Sequence, residues 1–318
     1  MSGSRTYVGR LAPSPTGALH LGNVRTFMIA WLRARQAGGR LVYRTEDLDH
    51  PRDKAGAAKE AMDDLRWLGF DWDEEYVQSE RKALYREAVD SLFARGLAYP
   101  CTCSRRDVEA AQSAPHDGEQ LFYPSTCKGR YFSWDDAASA IAPRTPCWRF
   151  SASDPLVYDG PVKFDDVFAG HCSVDVPAVL GDFPLARDRD GAGYTLAVVV
   201  DDLEMGITEV VRGDDLLAAT PAQIMVARAL GGAAPSYCHV PLVVGPDGRR
   251  LAKRHGDTRI SRYRAEGLSP EAIIGKLAFT CGWGDGSPVG LKDLVGEATL
   301  DTVPHRPVGI DEWRMQNG

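Results

Sequence analysis

Apolar residues follow one another closely in some segments of the first hundred residues and recur every three or four positions in others. The first arrangement predicts buried strands, and the second predicts helices with one apolar face. The predicted elements are strands at 6–11 and 40–45 and helices at 22–36, 57–68 and 81–95. Strands and helices that alternate in this way are typical of a doubly wound α/β domain with a parallel sheet.

The pattern changes between residues 97 and 187, where Pro, Gly and short apolar runs replace the helical spacing. This segment predicts an inserted domain of several short antiparallel strands. The α/β pattern then resumes. The elements predicted there are strands at 194–200 and 209–211, a helix at 215–230, a hairpin formed by 241–244 and 249–252, and a helix that Ser269 caps and that ends near Cys281.

Composition narrows the class of protein. The chain has 318 residues, of which 44% are hydrophobic and 25% charged, and this balance excludes a disordered, collagen-like or rod-shaped protein. There is no apolar run of the roughly 18 residues that a membrane span needs, and the first residues do not resemble a secretion signal. With seven cysteines in a chain of this length, we expect a cytoplasmic protein with reduced thiols.

The net charge of −7 hides a local excess of basic residues. Between Arg249 and Arg264 there are seven Lys or Arg and one acidic residue. An acidic protein does not coat nucleic acid indiscriminately, but one basic face can still bind it. A solvated basic surface is the alternative interpretation of this segment.

The segment RLAPSPTGALHLGN, residues 10–23, lies between the first predicted strand and the first predicted helix. Free N–H groups at a helix N-terminus suit a phosphate, His20 can donate to one, and Gly17 and Gly22 allow a nucleotide to approach. The spacing fits neither a Walker loop nor the dinucleotide fingerprint. Ordinary turn chemistry is the alternative.

A second candidate site is RRLAKRHGD, residues 249–257. Lys253 places a compact ammonium in a loop that contains glycine, and such a group can stabilise the charge that builds on a departing pyrophosphate. His255 lies in the same loop and can touch phosphate. A solvated basic loop is again the alternative.

Cys101 and Cys103 lie on one short segment, and Cys127 returns after a loop. This arrangement is typical of a structural zinc site whose fourth ligand comes from another residue. His116 is the more usual chemical choice for that ligand. Three ordinary thiols are the alternative.

The two loop motifs together resemble the signatures of class I aminoacyl-tRNA synthetases. The segment PSPTGALHLGN is similar to their HIGH motif, and RLAKR is similar to their KMSKS loop. Five segments resemble the sequences of the glutamyl branch: RLAPSPTG, RTEDLD, VVDD, VVRGDDLL and LAKRHGD. The similarity extends to about Trp283. This resemblance implies an α/β fold: a Rossmann-type catalytic domain, an inserted α+β domain and a short C-terminal helical region.

Only about sixty residues follow the loop of Lys253, and a full glutamyl-tRNA synthetase has a large anticodon-binding domain there. The chain thus resembles the truncated glutamyl-queuosine tRNA(Asp) synthetase family. The implied division is a catalytic domain in two halves, 1–96 and 188–247, an inserted acceptor-type domain at 97–187, and the loop with a helical region at 248–318.

The resemblance implies a ligase that activates glutamate with ATP and transfers it to the queuosine base in the anticodon of tRNA(Asp). Glutamate, ATP and queuosine-bearing tRNA(Asp) are then the expected partners of a monomer that binds no membrane. Two alternatives remain open. One is a truncated glutamyl-tRNA synthetase that charges a tRNA 3′ end, and the other is a silent paralogue that binds tRNA or glutamate without catalysis.

The resemblance also assigns residues. Those expected to bind glutamate, at strand ends, are Arg10, Leu11, Ala12, Pro13, Ser14, Glu46, Tyr194 and Arg212. The arginines suit carboxylates and Glu46 suits the ammonium. In the alternative, Arg10 and Glu46 pair with each other and Tyr194 is a core residue.

The expected ATP-binding residues are His20, Gly22, Asn23 and Lys253, with His20 and Lys253 as the catalytic pair and Mg²⁺ accompanying ATP. Asn23 is the fourth residue of the HIGH-like motif, and Ala252 stands where the family's loop usually has Ser. For the metal site, the resemblance implies that Tyr123 supplies a phenolate as the fourth ligand of zinc beside Cys101, Cys103 and Cys127.

Overall fold

The structure of the chain is a computed structural model. It describes residues 6–15, 18–48, 56–111, 122–245, 247–248, 251 and 258–309. Most of the segment that carries Lys253 and His255 lies outside these ranges, as do Gly17 and His116.

The described residues between Val8 and Ala94 form a three-stranded parallel sheet with helical connections. Its elements are β1 (Val8–Leu11), α1 (Leu21–Gln36), β2 (Arg40–Thr45), α2 (Ala57–Trp67), β3 (Glu74–Val77) and α3 (Lys82–Ala94). Strand β1 pairs with β2 and β2 pairs with β3, all in parallel. Every residue of β1 is buried, which explains why its sequence is a continuous run rather than an alternation. The predicted strands and helices of this half are confirmed, with bounds shifted by at most two residues at the ends.

The second half adds a four-stranded sheet in the order β7, β6, β10, β9. The elements between residues 194 and 240 are α7 (Tyr194–Glu204), β9 (Glu209–Gly213), α8 (Thr220–Ala229) and β10 (Ser236–Val240). Strand β9 lies beside β1, since the N–H of Thr208 donates to the carbonyl of Val8 over 2.9 Å. Because β1 and β2 are parallel, their carboxyl ends face the same side of the molecule, and the start of β9 lies beside the start of β1.

The prediction of a strand at 194–200 is wrong. Helix α7 begins at Tyr194 and runs to Glu204, and each residue from Leu196 to Asp202 is buried. A helix that is buried all round has no polar face, so its apolar run has the same appearance as a buried strand.

The segment 97–187 contains two groups of strands. Strands β4 (Ala98–Cys101), β5 (Cys147–Phe150) and β8 (Pro184–Ala186) form an antiparallel sheet, as predicted. The hairpin of β6 (Val162–Asp166) and β7 (Gly170–Val174) instead joins the sheet of β10, where Tyr237 pairs in parallel with Asp166. The described part of this segment also contains the helices α4 (Arg105–Ala111), α5 (Trp134–Ile141) and α6 (Val176–Val179).

The last part of the chain packs against α1. Its elements are β11 (Val243–Val244), α9 (Ile260–Ala265), α10 (Pro270–Phe279) and β12 (Val308–Gly309). Ser269 caps α10 as predicted, by accepting the N–H of Ala272. Of the predicted hairpin, the structure describes a turn at Gly248 and a bond from the N–H of Leu251 to the carbonyl of Val243, while residues 249, 250 and 252 lie outside the described ranges. Strand β11 pairs in parallel with β12. None of the helices described has the length and apolar character needed to cross a membrane.

Candidate active site and metal centre

Three of the predicted glutamate-binding residues stand at the ends of neighbouring strands. Arg10 lies in β1, Glu46 directly follows β2, and Arg212 lies in β9. The N–H of Glu46 donates to the carbonyl of Pro13 over 3.0 Å, which ties the end of β2 to the segment after β1. Ligands of open α/β sheets bind at this edge, so the strand order itself assembles a candidate site.

Arg10 and Glu46 do not pair with each other. The Nε of Arg10 lies 3.4 Å from Asp202, whereas Glu46 accepts a hydrogen bond of 3.0 Å from Arg44. Arg44 is completely buried and also contacts Asp202 at 2.7 Å and Asp201 at 3.7 Å. Burial alone would lower the pKa of Arg44, but the three carboxylates around it raise the pKa above its ordinary value. Asp202 thus links both arginines behind the site.

Arg212 is held by a dense set of hydrogen bonds. Its Nε donates to Nε2 of His239 over 2.9 Å, and one terminal nitrogen donates to Thr220 at 2.7 Å and to Gln223 at 2.9 Å. The other terminal nitrogen lies 3.3 Å from the hydroxyl of Tyr194. This last nitrogen is the one that points toward the predicted pocket.

Tyr194 is 41% exposed and stands at the first turn of α7, not at the end of a strand as predicted. It is therefore not a core residue. Partial burial of its phenol and the carboxylate of Glu46 raise the pKa of Tyr194, while Arg212 and Arg10 lower it. The structure thus brings Arg10, Glu46, Tyr194 and Arg212 to one place.

The remaining residues of the predicted glutamate segment differ in what they can offer. The side chain of Leu11 is fully buried in the core, and Ala12 is half-buried. Pro13 is buried, and its carbonyl accepts a hydrogen bond from the N–H of Glu46. Ser14 is exposed, so its hydroxyl is accessible to a ligand.

His20 precedes the first residue of α1. Its backbone N–H donates to the side chain of Asn23 over 3.3 Å, so Asn23 has a capping role at this helix. A Cβ on Gly22 would lie 3.2 Å from the imidazole of His20 and 3.5 Å from Val243. Glycine at this position therefore lets the imidazole lie close over the start of the helix.

The ends of the Lys253 loop lie near His20, although Lys253 itself is outside the described residues. After the loop, the N–H of Ile260 donates to Leu19 over 3.0 Å, and the N–H of Leu21 donates to Thr258 over 3.2 Å. These bonds form an antiparallel bridge between His20 and Arg259. Before the loop, Leu251 is bonded to Val243, the residue that Gly22 faces. The described residues on either side of the loop, Leu251 and Thr258, therefore lie near the N-terminus of α1.

The three predicted thiol ligands lie together. The sulfurs of Cys101, Cys103 and Cys127 are all within 4.8 Å of one another. The hydroxyl of Tyr123 lies 3.2 Å from the sulfur of Cys101 and 3.7 Å from that of Cys103. Zn–S bonds of about 2.3 Å in a tetrahedron separate the sulfurs by roughly 3.8 Å. The cluster can hold a metal ion, and its donor set fits zinc.

A cation lies against this cluster. Arg149 donates from Nε to the sulfur of Cys101 over 3.3 Å, and its guanidinium carbon is 3.7 Å from the centre of the Tyr123 ring. A second nitrogen is anchored on the carbonyl of Asp182 at 2.9 Å. The neighbouring Cys101 and burial raise the pKa of the Cys127 thiol to about 11. Three thiolates would carry more charge than a divalent ion neutralises, and Arg149 lies where its charge would offset part of the excess.

Sequence reasoning missed four residues that shape the site. Arg44 and Asp202 neutralise the charges behind it, and the signal for both was a charged residue in an otherwise apolar run. His239 and Asp166 form a buried pair beside Arg212. His239 carried a weaker signal, since a histidine within an apolar strand needs a hydrogen-bond partner.

Comparisons with known proteins agree with this geometry. Residues 7–297 match the family model of tRNA synthetases class I (E and Q), catalytic domain. The chain is 46% identical to a Glutamyl-Q tRNA(Asp) synthetase of Symbiobacterium thermophilum over 95% of each chain. It is 45% identical to the Glutamyl-Q tRNA(Asp) synthetase of Rhodopirellula baltica over 96% of this chain and 93% of that one.

A solved structure gives the same fold. It is a glutamate tRNA ligase from Elizabethkingia meningosepticum in complex with its amino acid, with a TM-score of 0.79 and 26% identity. The match covers 96% of this chain and 67% of the ligase. The chain belongs to the class I tRNA synthetases of the E and Q family, and within them to the glutamyl-Q tRNA(Asp) synthetases.

Proposed function

We propose that the chain activates glutamate with ATP and transfers it to the queuosine base in the anticodon of tRNA(Asp). The observation that carries the proposal is the pocket in which Arg10, Glu46, Tyr194 and Arg212 meet, in a chain that matches proteins named for this reaction along nearly their whole length.

Glutamate has two carboxylates and an ammonium, and the pocket offers a partner for each. The guanidinium of Arg10, whose Nε lies 3.4 Å from Asp202, suits one carboxylate. Arg212 and the hydroxyl of Tyr194 suit the other. Glu46, whose orientation Arg44 fixes, suits the ammonium. Glu46 and Arg212 are held by hydrogen bonds before the substrate arrives, which lowers the cost of binding in the right orientation.

In the first step, an oxygen of the α-carboxylate attacks the α-phosphorus of ATP, and the bond to pyrophosphate breaks. The products are glutamyl-adenylate and pyrophosphate. His20 and the N-terminus of α1, with Gly22 and Asn23, hold the phosphates, and Lys253 stabilises the departing charge from its loop. Bound with ATP, Mg²⁺ supplies further charge neutralisation of the phosphates.

In the second step, a ring hydroxyl of queuosine attacks the carbonyl carbon of the adenylate, and AMP leaves. No side chain in the described part of the site stands out as the base for this hydroxyl. The phosphate of the adenylate takes the proton as AMP departs. The basic segment 249–264 contributes phosphate contacts to tRNA.

We also assign zinc to the cluster of Cys101, Cys103, Tyr123 and Cys127, as a structural ion. A bound metal of this kind stabilises the fold around its ligands rather than taking part in the reaction. We expect the chain to act as a monomer in the cytoplasm.

A glutamyl-tRNA synthetase activity on a tRNA 3′ end is the second candidate, because a glutamate tRNA ligase has the same fold. The two candidates share the activation step and differ only in the acceptor. A silent paralogue is disfavoured, since the glutamate pocket retains its full set of charges.

The activation step is tested by glutamate-dependent exchange between ATP and labelled pyrophosphate in the absence of tRNA. We expect exchange with glutamate and much less with glutamine or aspartate. Lys253→Ala should slow adenylate formation by about 10²-fold or more and leave glutamate binding nearly intact. An absence of exchange with well-folded protein would favour the silent paralogue.

A further inference from the structure

We propose that His239, together with Asp166, is a positioning residue that orients Arg212 for the substrate carboxylate. The inference rests on the proposed function, since it assigns how Arg212 is prepared to bind glutamate. Both residues are buried, with 1% of His239 and 4% of Asp166 exposed, and they come from the adjacent strands β10 and β6.

The hydrogen bonds define which nitrogen of His239 carries the proton. Oδ2 of Asp166 lies 2.6 Å from Nδ1 of His239, and a carboxylate can only accept, so the proton is on Nδ1. Asp166 is itself fixed, because Oδ1 accepts the N–H groups of Phe168 and Ala169 at 3.0 Å each. Nε2 of His239 is then an acceptor, which matches the N–H that Arg212 donates to it.

This acceptor, together with Thr220 and Gln223, sets how the guanidinium of Arg212 is turned. Nε is bound to His239, and one terminal nitrogen is bound to Thr220 and Gln223. The other terminal nitrogen is thereby directed to the hydroxyl of Tyr194. Burial lowers the pKa of His239, which keeps the imidazole neutral and able to accept. Arg212 consequently presents one terminal nitrogen to the substrate in a fixed position, because its guanidinium group cannot rotate freely.

Two amide substitutions separate the two sides of the imidazole. In His239→Gln, the side-chain oxygen reaches the position of Nε2 and can accept from Arg212. In His239→Asn, the shorter amide reaches only the position of Nδ1, so it retains a donor to Asp166 and loses the acceptor for Arg212. The pair is matched in polarity and charge, and both variants introduce an amide at the same buried place.

The readout is the KM for glutamate, the KM for ATP and kcat in pyrophosphate exchange. Loss of a hydrogen bond to a charged group predicts a KM for glutamate raised by about 10-fold or more in His239→Asn, with kcat and the KM for ATP changed far less. His239→Gln should stay within about threefold of the wild type. Equal effects of the two variants, or equal losses for glutamate and ATP, would overturn the proposal and indicate a purely structural role.

A measurement on the unmodified protein keeps the test independent of folding in the variants. In ¹⁵N-labelled protein, the imidazole of His239 should show an unprotonated Nε2 and a protonated Nδ1, and glutamate should shift the Nε2 resonance. A proton on Nε2 would refute the proposal. Failure of the proposed function has a different outcome, because the wild type would then show no exchange with glutamate at all.

Discussion

Asp64 is a buried carboxyl group that forms no ion pair with any of the described residues, and replacing it should stabilise the protein. It lies on the inner face of α2, beside the core residues Ala61 and Leu65, and is 3% exposed. Its Oδ2 has no hydrogen-bond partner in the described part of the chain. Burial, reinforced by the charge of Glu60, raises the pKa of Asp64 to about 6.

The raised pKa fixes both the size and the sign of the effect. The folded state binds this proton more tightly than the unfolded state does, so the stability of the fold decreases as the pH rises from about 4 to 6 and then stays level. A shift of about two pKa units corresponds to about 3 kcal/mol above pH 7. Asp64→Asn removes the charge at nearly constant volume. It should therefore raise the free energy of unfolding by up to about 3 kcal/mol at pH 8, and by about half as much at pH 5.

The assay is urea unfolding at both pH values, with Asp63→Asn as the control. Asp63 is the neighbouring residue on the exposed side of the helix, where the hydrogen bond from Lys59 lowers its pKa. Its replacement should be neutral or slightly destabilising. If Asp64→Asn were no more stable than the wild type at pH 8, or gained equally at both pH values, the desolvation argument would be wrong.

Three further substitutions test the two sites. Gly22→Ala should slow pyrophosphate exchange by about 10-fold, because the new Cβ displaces the imidazole of His20. Thermal unfolding should show no loss of stability, since Ala favours a helix. An unchanged exchange rate would contradict the role given to His20. Cys127→Ser should lose bound metal and lower the unfolding temperature while glutamate binding in calorimetry persists. Arg149→Met should weaken zinc about 10-fold in competition with a chelator, and zinc affinity equal to the wild type would show that its charge is not needed.

The sequence could predict those parts of the fold where one residue pattern has one meaning. The spacing of α1 and the continuous apolar strands β1 and β2 are of this kind, and so is the serine cap of α10. The segment 194–200 could not be assigned in this way, because a fully buried helix and a fully buried strand have the same apolar run. Length and flanking residues could have helped, since Asp201 and Asp202 continue the same helix.

The candidate site divides in a similar way. Residues that meet the substrate, such as Arg10 and Glu46, stand in motifs with a chemical meaning of their own. The residues that hold them carry no chemical role that the sequence alone reveals. Asp202 and His239 gain their roles only from the packing of α7 and β10 against the strand ends, over separations of more than a hundred residues in the case of Asp202. Such contacts are a product of tertiary structure and leave only a weak trace in the local sequence.

The acceptor of glutamate is the central claim, and it is tested most directly with two pools of tRNA. One pool comes from cells that make queuosine and the other from cells that cannot. Labelled glutamate is supplied with ATP, and the tRNA is then cleaved so that the anticodon fragment is separated from the 3′ end. We predict label only in the queuosine pool and only in the anticodon fragment of tRNA(Asp). Equal labelling of both pools at the 3′ end would contradict the account and identify a truncated glutamyl-tRNA synthetase.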